Sequence, residues 1–439
     1  MLFTDPKGEL FEYTSKFYKN LGYEVRAIDF KNPKKSDHYN FLQQCIKAIN
    51  DNDMPLAVDR IWDITSTLVG EARGEKLWTN GEASAIASSI MLILYENRFK
   101  PELQNFTNVY HFINNMCKSD NEGNMPLTKY LKTLPEEHPA RALFGTVEIA
   151  PERTRGSFFT SALTTLRLFT NPNTYNITSE SDFDICDLSK KKFALFIILP
   201  DETKTYFELA SLFTSLTYLE LVRYSDLECG GRLPRKVFFL LDEFGNFPKI
   251  AGFDNMLTVG AGRGILFYIF IQGYMQLDAT YGKEVSQTIQ DNTMILNFLK
   301  TGSIDTAELI SKRLGTYTCL SGSVSNSSNS RSYDTSSISR SSNLISRPLL
   351  TAEEVMRIKR PNVLVMEAGE KPLVSNIPDV SQWYFNKMFG MGSKKHNEKL
   401  RIERQKERQI REQKEIKIWK VWEEEKKREE NLKKLYETL

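Results

Sequence analysis

The sequence has few of the residues that cross-link chains or bind transition metals. It contains five cysteines and four histidines in 439 residues, without a CxxC pair. The cysteines are widely scattered, at Cys45, Cys117, Cys186, Cys229 and Cys319. This spacing excludes a zinc pattern, and an odd number of distant cysteines does not suit a disulfide scaffold. We expect reduced thiols in a cytoplasmic setting.

Long apolar runs are also missing. The longest apolar-looking stretch, 83–95, has 13 residues and includes three serines, whereas about 20 apolar residues are needed to cross a bilayer. The opening, MLFTDPKGEL, lacks the basic and apolar regions of a signal peptide. We therefore expect no membrane-spanning segment in this sequence, and a buried helix at 83–95.

A strong overall charge is the third absence, because the formal net charge is only +2. Residues 392–439 carry 16 Lys/Arg and 11 Asp/Glu, a net of +5, which leaves 42 basic and 45 acidic residues elsewhere. Nothing in this balance demands nucleic acid. Any contact with DNA would have to come from a local basic patch.

The sequence does contain an α/β pattern from its start. A short apolar run ends at DPKG, apolar residues then recur at helical spacing over 8–21, and YEVRAIDF at 23–30 is typical of a strand. A strand, a helix and a strand in this order indicate a parallel α/β unit. Because few domains open on a central strand, we expect that an upstream part of the domain is missing.

Length and pattern predict two or three domains. Helical segments follow one another at 61–72, 76–97, 101–118 and 155–169, which predicts an all-helical domain over 59–180. It is inserted between 1–58 and 181–390, the two parts of an α/β domain. Continuous apolar runs at 193–200, 236–242, 265–272, 293–299 and 362–366 are typical of strands covered on both faces by helices.

Two segments differ in composition from these domains. Residues 321–346 include 13 serines in 26 positions, which predicts a flexible loop. The arginines at 331 and 340 in this segment, and Arg347 directly after it, could contact single-stranded DNA, although Tyr333 alone is present to stack on a base. The charged tail, 391–439, is predicted to be helical, either solvated or docked through Trp419 and Trp422.

The stretch VFFLLDEFGN at 237–246 carries the first candidate chemistry. Asp242 and Glu243 follow a buried strand, and ATP hydrolysis needs a held magnesium ion and a residue that orients the attacking water. The first carboxylate would reach the magnesium shell, and the second would face the γ-phosphate. The alternative is a strand end that carries two solvated acids.

Two further polar residues follow along the chain. Arg263 lies in GAGRG, where glycines allow a tight turn that projects one arginine. Gln272 ends the next apolar strand, at the edge of the sheet where α/β proteins bind ligands. The alternatives are a surface arginine in a turn and a strand-end amide in a loop.

An ordered set of motifs carries a resemblance to a known family. These motifs are DPKGEL, KLWTNGEAS, PERTRGS, FALFIILPDE, VFFLLDEFGNFPKI, GRGILFYIFIQ, TAELISKRLG and RPLLTAEEVMRI. Over about residues 1–385 the chain resembles the conjugative coupling proteins of type IV secretion, the TraG/TraD-like DNA-transfer ATPases. No single motif decides this resemblance, but the ordered set is specific.

The resemblance implies a RecA-like parallel sheet of the P-loop NTPase type with an inserted all-α domain. It also implies a homo-hexamer at the cytoplasmic face of the bacterial plasma membrane, anchored through an amino-terminal region. Such a hexamer hands relaxase-bound single-stranded DNA, or protein cargo, to the secretion channel. The helical insert would recognise cargo or relaxosome partners.

The same resemblance implies roles for individual residues in an ATP and Mg²⁺ site. Asp242 and Glu243 would be the Walker B pair, with Asp242 on the metal and Glu243 catalytic. Gln272 would be the sensor, and Arg263 would complete a neighbouring subunit's site. The remaining implied residues lie in the DPKG motif near the nucleotide, namely Asp5, Lys7 and Gly8.

A phosphate-binding loop is missing from the sequence, since GxxxxGK[ST] does not occur in it. The nearest similar stretch, GMGSKK at 390–395, lacks the spacing. The loop would supply the backbone N–H cradle, the phosphate lysine and a magnesium ligand. We therefore expect a fold that lacks its first strand and P-loop, and a chain that does not hydrolyse ATP appreciably alone.

Three functions remain open at this point. The chain is the motor portion of a coupling ATPase, or a non-catalytic cargo or relaxosome adaptor that acts through the helical insert and the Trp419/Trp422 tail. The third is a related hexameric RecA-like DNA translocase. The helical insert favours a coupling protein, because simple translocases lack it.

Overall fold

The computed structural model describes residues 1–70, 75–118, 125–200, 205–328, 336–424 and 426–427. The chain divides into two compact units. The first comprises Met1–Phe270 and Ser393–Leu439, and the second comprises Ile271–Gly392. Among the described helices, none is both long and apolar enough to span a membrane.

The first unit is built on a sheet of five parallel strands in the order β2-β3-β1-β4-β5. These strands are β1 (Leu2–Pro6), β2 (Glu24–Asp29), β3 (Phe193–Leu199), β4 (Val237–Leu241) and β5 (Ile265–Ile269). Every residue of β3 is buried, as expected for a central strand covered on both faces. The Phe3 and Phe196 rings stack 4.5 Å apart and join neighbouring strands. The predicted α/β class with a parallel sheet is confirmed.

Three helices connect strands of this sheet: α1 (Glu9–Asn20), α11 (Phe207–Glu228) and α12 (Phe253–Arg263). Helix α1 begins at Gly8, whose φ of 84° lies in the left-handed region that favours glycine. Phe11 packs from α1 against Phe196, with ring centroids 5.3 Å apart. The predicted strand–helix–strand opening is therefore present.

The described chain between β2 and β3 forms helices α2 to α10. Their bounds are Gln43–Asn50, Met54–Val69, Lys76–Glu96, Phe106–Met116, Pro126–Thr133, Pro139–Glu148, Glu152–Thr165, Pro172–Thr178 and Asp187–Lys190. Helices α4 and α8 approach closely at Gly81, where an added Cβ would lie 2.3 Å from Phe158 Cζ. Contacts group these helices with the parallel sheet. The domain bounds 59–180 stay a prediction.

The second unit has its own sheet, in which β6 (Ile295–Phe298), β9 (Asn362–Glu367) and β10 (Leu373–Asn376) pair antiparallel in the order β10-β9-β6. Its helices are α13 (Tyr274–Tyr281), α14 (Lys283–Asp291), α15 (Ile304–Leu314), α16 (Ala352–Met356) and α17 (Tyr384–Met388). The prediction that 293–299 and 362–366 are strands of the parallel type is wrong. An apolar run identifies a strand but does not determine whether it pairs parallel or antiparallel with its neighbour. Here β6 pairs antiparallel with β9.

The serine-rich segment, 321–346, is not the predicted flexible loop where the structure describes it. Strands β7 (Thr316–Ser328) and β8 (Ser336–Pro348) pair antiparallel, from Thr316 opposite Pro348 to Ser328 opposite Ser336. Backbone hydrogen bonds make this ladder, so it needs little from the serine side chains. The predicted DNA-contact residues Arg331 and Tyr333 lie outside the described residues, and Arg347 pairs with Glu354 at 2.7 Å.

The tail is helical in only part of the predicted range 391–439. Helix α18 (Lys394–Glu407) is followed by a non-helical stretch to residue 420. This stretch lies against the first unit, where the Trp419 ring stacks on Phe112. The prediction of a charged helical tail is therefore wrong for 408–420. Long-range contacts hold this stretch against the first unit, and the charge pattern could not reveal them.

Candidate functional site

The carboxyl ends of β1 and β4 meet at one edge of the parallel sheet. Thr4 lies opposite Leu241 in the register, so the chain segments that follow the two strands leave the sheet side by side. The Thr4 hydroxyl donates to the carbonyl oxygen of Asp242 at 3.0 Å. This bond brings the predicted Asp5 and Asp242 together. Thr4 itself was not predicted as a site residue.

Asp242 and Glu243 form the turn after β4. The Asp242 carboxylate accepts a hydrogen bond from the Glu243 backbone N–H at 3.0 Å. Burial, followed by the charge of Glu243, raises the pKa of Asp242. The Glu243 carboxylate accepts from the Asn246 amide at 3.0 Å. Asn246 was not predicted as a site residue, although its position three residues after Glu243 is visible in DEFGN.

Glu243 also has an unusual backbone conformation. Its φ of 53° lies in the left-handed region, which costs a non-glycine residue about 1 kcal/mol or more. Strain of this kind persists where the surrounding structure enforces it and is common at functional sites. Two backbone bonds, from Phe244 N–H to Phe270 O and from Phe270 N–H to Leu241 O, both 3.0 Å, hold the turn against the end of β5.

Asp5 is buried and caps the first turn of α1. Its carboxylate accepts from the backbone N–H groups of Leu10 at 3.1 Å and Phe11 at 2.7 Å. Burial raises the pKa of Asp5 to about 7, despite these hydrogen bonds, and the charges of Glu12 and Asp242 also raise it. The structure thus gives Asp5 a clear helix-capping role at the predicted nucleotide motif.

Lys7 and Gly8 follow Asp5 in a tight turn. Both have positive φ, 82° and 84°, and the Lys7 backbone N–H donates to Leu199 O at 3.1 Å. They line a cavity of about 70 Å³ at the carboxyl ends of the strands, together with Gln405 and Arg408 of the tail. The tail therefore reaches the predicted nucleotide motif.

Arg263 lies at the amino-terminal ends of the strands, opposite the acidic pair, because it comes just before β5 begins at Ile265. A five-residue strand spans roughly 16 Å, so the Arg263 backbone is far from the acidic pair of its own chain. Its guanidinium makes two parallel bonds to Asp226, both 2.9 Å. The structure does not bring Arg263 together with Asp242 and Glu243.

Gln272 belongs to the second unit, in the turn between β5 and α13. Its backbone N–H donates to the Gln276 side chain at 3.2 Å. The predicted site residues are thus distributed: Asp5, Lys7, Gly8, Asp242 and Glu243 share one sheet edge, Arg263 lies at the other, and Gln272 falls in the second unit.

The donor set at the shared edge suits one half of a nucleotide site. Carboxylate oxygens are the ligands that Mg²⁺ prefers, and Asp242 and Glu243 offer four at the carboxyl end of β4. Ligands of α/β proteins bind at this end of the strands. The phosphate half needs a loop of backbone N–H groups and a lysine, and the sequence contains no GxxxxGK[ST].

A family model described as "Type IV secretory system Conjugative DNA transfer" matches residues 1–412. The chain belongs to this family. Among curated relatives, the protein VirD4 of Rhizobium rhizogenes is 25% identical over 374 residues, which cover 84% of this chain and 52% of VirD4. A conjugal transfer protein TraG of Escherichia coli is 25% identical over 309 residues, which cover 67% of this chain and 48% of TraG.

Solved structures show the same RecA-like α/β fold. The unbound conjugative coupling protein TrwBΔN70 matches with a TM-score of 0.58 and 15% identity, over 87% of this chain and 85% of that protein. TrwB in complex with ADP and Mg²⁺ matches with a TM-score of 0.55. The chain spans about half the length of the two curated relatives named above.

Proposed function

We propose that this chain is the motor portion of a conjugative coupling protein, which links relaxase-bound DNA or protein cargo to a type IV secretion channel. The observation that carries the proposal is the family match over residues 1–412. The acidic pair at the carboxyl end of β4 supports it, because a nucleotide-driven motor needs carboxylates there. The proposed assembly is a homo-hexamer at the cytoplasmic face of the plasma membrane.

The proposed site uses ATP and Mg²⁺, as the TrwB complex with ADP and Mg²⁺ suggests. Asp242 would hold the metal through water, and Glu243, oriented by Asn246, would position the attacking water. Lys7 and Gly8 would lie near the nucleotide. Bound Mg²⁺ would neutralise charge that develops on the phosphates. A phosphate loop from outside this sequence would complete the site.

Arg263 and Gln272 have proposed roles beyond the acidic pair. Arg263 would act in a neighbouring subunit's site, which suits its position at the other sheet edge. For that role, its two bonds to Asp226 would have to open. Gln272 would be the sensor after β5.

The decisive experiment measures ATP hydrolysis by the purified chain. We expect no appreciable turnover, because the cradle for the phosphates is missing from the sequence. Fusing the phosphate-loop segment of a VirD4 relative ahead of Met1 should restore turnover, and Glu243→Gln should abolish it. Robust Mg²⁺-dependent hydrolysis by the 439-residue chain itself, lost in Glu243→Gln, would overturn this expectation.

The second candidate is a non-catalytic cargo or relaxosome adaptor that acts through the helical insert and the Trp419/Trp422 tail. An adaptor would bind relaxase through the helical insert without nucleotide. A pull-down with relaxase separates the two readings. Binding that is unchanged in Asp242→Ala and independent of ATP favours the adaptor, and binding that requires an assembled, nucleotide-loaded form favours the motor.

Single-stranded DNA contact would involve the arginines of the β7–β8 hairpin. Arg340 is exposed on β8, but Arg347 is paired with Glu354. If deletion of 321–346 leaves salt-sensitive DNA binding unchanged, the β7–β8 hairpin takes no part in it.

A further inference from the structure

The parallel sheet of the first unit has two outermost strands, β2 on one side and β5 on the other. An outermost strand has a neighbour on one side only, so one row of its backbone N–H and C=O groups is not bonded by the sheet. Such a row can pair with a strand from another polypeptide. The two outermost strands of this sheet differ in whether the chain itself bonds that row.

The chain covers the outer row of β2 with the residues that follow this strand. The Ala27 N–H donates to the Asp37 carboxylate at 2.7 Å, and the Ala27 carbonyl oxygen accepts from the Asp37 N–H at 2.8 Å. The Asp29 N–H donates to the Ser36 hydroxyl at 2.8 Å. A further strand could pair with β2 only if these bonds broke.

The outer row of β5 has no neighbouring strand in the described part of the chain, where the sheet ends at β5. Gly264 and Phe270, which flank this strand, bond the β4 chain through Gly264 O and the Phe270 N–H. Backbone groups alternate in direction along a strand, so those of Ile265, Phe267 and Ile269 point away from β4. We call the outward N–H and C=O groups of these three residues the open edge.

The composition of β5 is that of an interior strand. Its five residues, ILFYI, are a continuous apolar run, which is typical of strands covered by neighbours on all sides. Tyr268 is nevertheless 49% exposed, and Phe270, directly after the strand, is 50% exposed. Outermost strands of soluble proteins usually carry charged residues or proline, which prevent pairing with other chains. The strand β5 has neither, so its outer row is available for pairing.

We propose that the open edge receives a parallel strand from the polypeptide that supplies the phosphate loop. This proposal rests on the proposed function, in which a phosphate loop from outside this sequence completes the site at Asp242 and Glu243. A loop of the GxxxxGK[ST] type joins a strand to a helix. A polypeptide that brings the loop therefore also brings a strand, which needs a partner in the sheet.

The position of the acidic pair selects β5 over β2 for this strand. Neighbouring strands lie about 4.8 Å apart, so a strand added to β5 would lie roughly 10 Å from β4, and one added to β2 roughly 19 Å from β4. The loop and Asp242 have to share one Mg²⁺ ion, whose ligands lie about 2.1 Å from it. A strand parallel to β5 ends on the same side of the sheet as β4, so its loop would begin near Asp242 and Glu243.

Hydrogen exchange of single amides tests strand addition without nucleotide. The probe is the phosphate-loop segment of the VirD4 relative from Rhizobium rhizogenes, added as a separate chain to the 439-residue protein. We expect the amides of Phe267 and Ile269 to exchange at least about tenfold more slowly in the mixture. Those of Leu266 and Tyr268, which face β4, should change little. The Ala27 amide, already bonded at the outer row of β2, is the internal control.

A pair of variants at Ile269 tests the open edge itself. Ile269→Pro removes an outward N–H but no bond to β4. Ile269→Ala is the matched control, because it also shortens the side chain but keeps the N–H. The proline variant should bind the phosphate-loop segment at least about tenfold more weakly than the alanine variant. Equal binding by the two folded variants would overturn the proposal, and if the proline variant does not fold, the exchange pattern of the wild type decides.

ATP hydrolysis in the same mixture separates this proposal from the proposed function. Protection of Phe267 and Ile269 without turnover supports strand addition and contradicts the motor. Turnover without this protection supports the motor and overturns strand addition. Protection that appears in the chain alone and rises with its concentration assigns the open edge to a second copy, which also overturns the proposal. If the separate segment does not fold, the chain fused to it ahead of Met1 gives the same exchange readout.

Discussion

In two clusters of carboxylates in the first unit, the side-chain pKa values are shifted in opposite directions. At the strand ends, burial raises the pKa of both Asp5 and Asp242. The second cluster lies in the tail groove, the surface of the first unit that residues 408–421 contact and that includes Asp37, Asp182 and Phe112. Burial raises the pKa of Asp182 there as well. Hydrogen bonds from His38 and the charges of His38 and Arg411 outweigh burial, and they hold this pKa well below its usual range. The charged form of a carboxyl group is thus disfavoured at the strand ends and favoured in the tail groove.

The two clusters also differ in where along the chain their hydrogen-bond partners lie. The Glu243 carboxylate accepts from Asn246, three residues away, and Asp242 accepts from the next residue. Asp182 accepts from Arg411, 229 residues away. The Asp242–Glu243 pair thus finds its hydrogen-bond partners locally, and pairing of β1 with β4 brings Asp5 to the same strand ends. The groove cluster is completed by the chain itself.

The largest expected effect concerns Asp5. The folded chain holds a proton on Asp5 up to about pH 7, whereas the unfolded chain releases it near pH 4. The free energy of unfolding should therefore fall as pH rises between these values, by at most roughly 4 kcal/mol. Asp5→Asn keeps an acceptor for α1 and should remove most of this slope.

Urea unfolding at about pH 5 and about pH 8 measures the Asp5 effect. Glu148→Gln, at an exposed position on α7, is the control and should keep the wild-type slope. If the free energy of unfolding changes equally with pH in the wild type and in Asp5→Asn, the pKa of Asp5 is not raised by folding, and this contrast between the two clusters is wrong.

Arg411→Ala should have the next largest effect, because it removes the partner of both Asp37 and Asp182. These groups are partly exposed, so we expect a loss of about 1–2 kcal/mol in tail docking. Since the pKa of Asp182 is lowered, its contribution persists at neutral pH and is lost only as acid protonates it.

Trypsin cleavage of the tail reports the Arg411 effect, with Arg411→Lys as the control that retains the charge. Docking that tightens at high salt in the wild type would contradict an electrostatic groove.

A smaller effect is expected from the strained backbone at the strand ends. Glu243→Gly and Glu243→Ala both remove the carboxylate, but only glycine relieves the cost of φ 53°. The glycine variant should be more stable than the alanine variant by about 1 kcal/mol, as thermal or urea unfolding measures it. Equal stability of the pair would mean that the turn stores no strain.

The smallest effect is expected at the rim of the groove. Lys417 lies 3.7 Å from Glu102, and both side chains are about half exposed, at 58% and 44%. Lys417→Ala should change tail docking by less than about 0.5 kcal/mol, again by trypsin protection. A loss as large as that of Arg411→Ala would mean that the groove's charge acts as a whole and not through close pairs.

Much of the strand-end site was predictable because each of its residues lies at the end of an apolar run or directly after one. Apolar runs located β1, β3, β4 and β5, and the residues that follow a parallel strand must gather at one sheet edge. The same reasoning failed for β6 and β9, because an apolar run does not encode strand direction. It also failed for β7 and β8, since a backbone ladder tolerates serine.

The amino-acid sequence is enough to recognise the family motifs, the position of Asp242 and Glu243 at a strand end, and the lack of a GxxxxGK[ST] loop. These are properties of short stretches, which determine local conformation. The contacts of Arg411 with Asp182 and of Trp419 with Phe112 arise only when the chain folds. A charged segment has the same composition whether it is solvated or docked in a groove. The residues of this groove are distant in sequence, and they come together only when the chain folds.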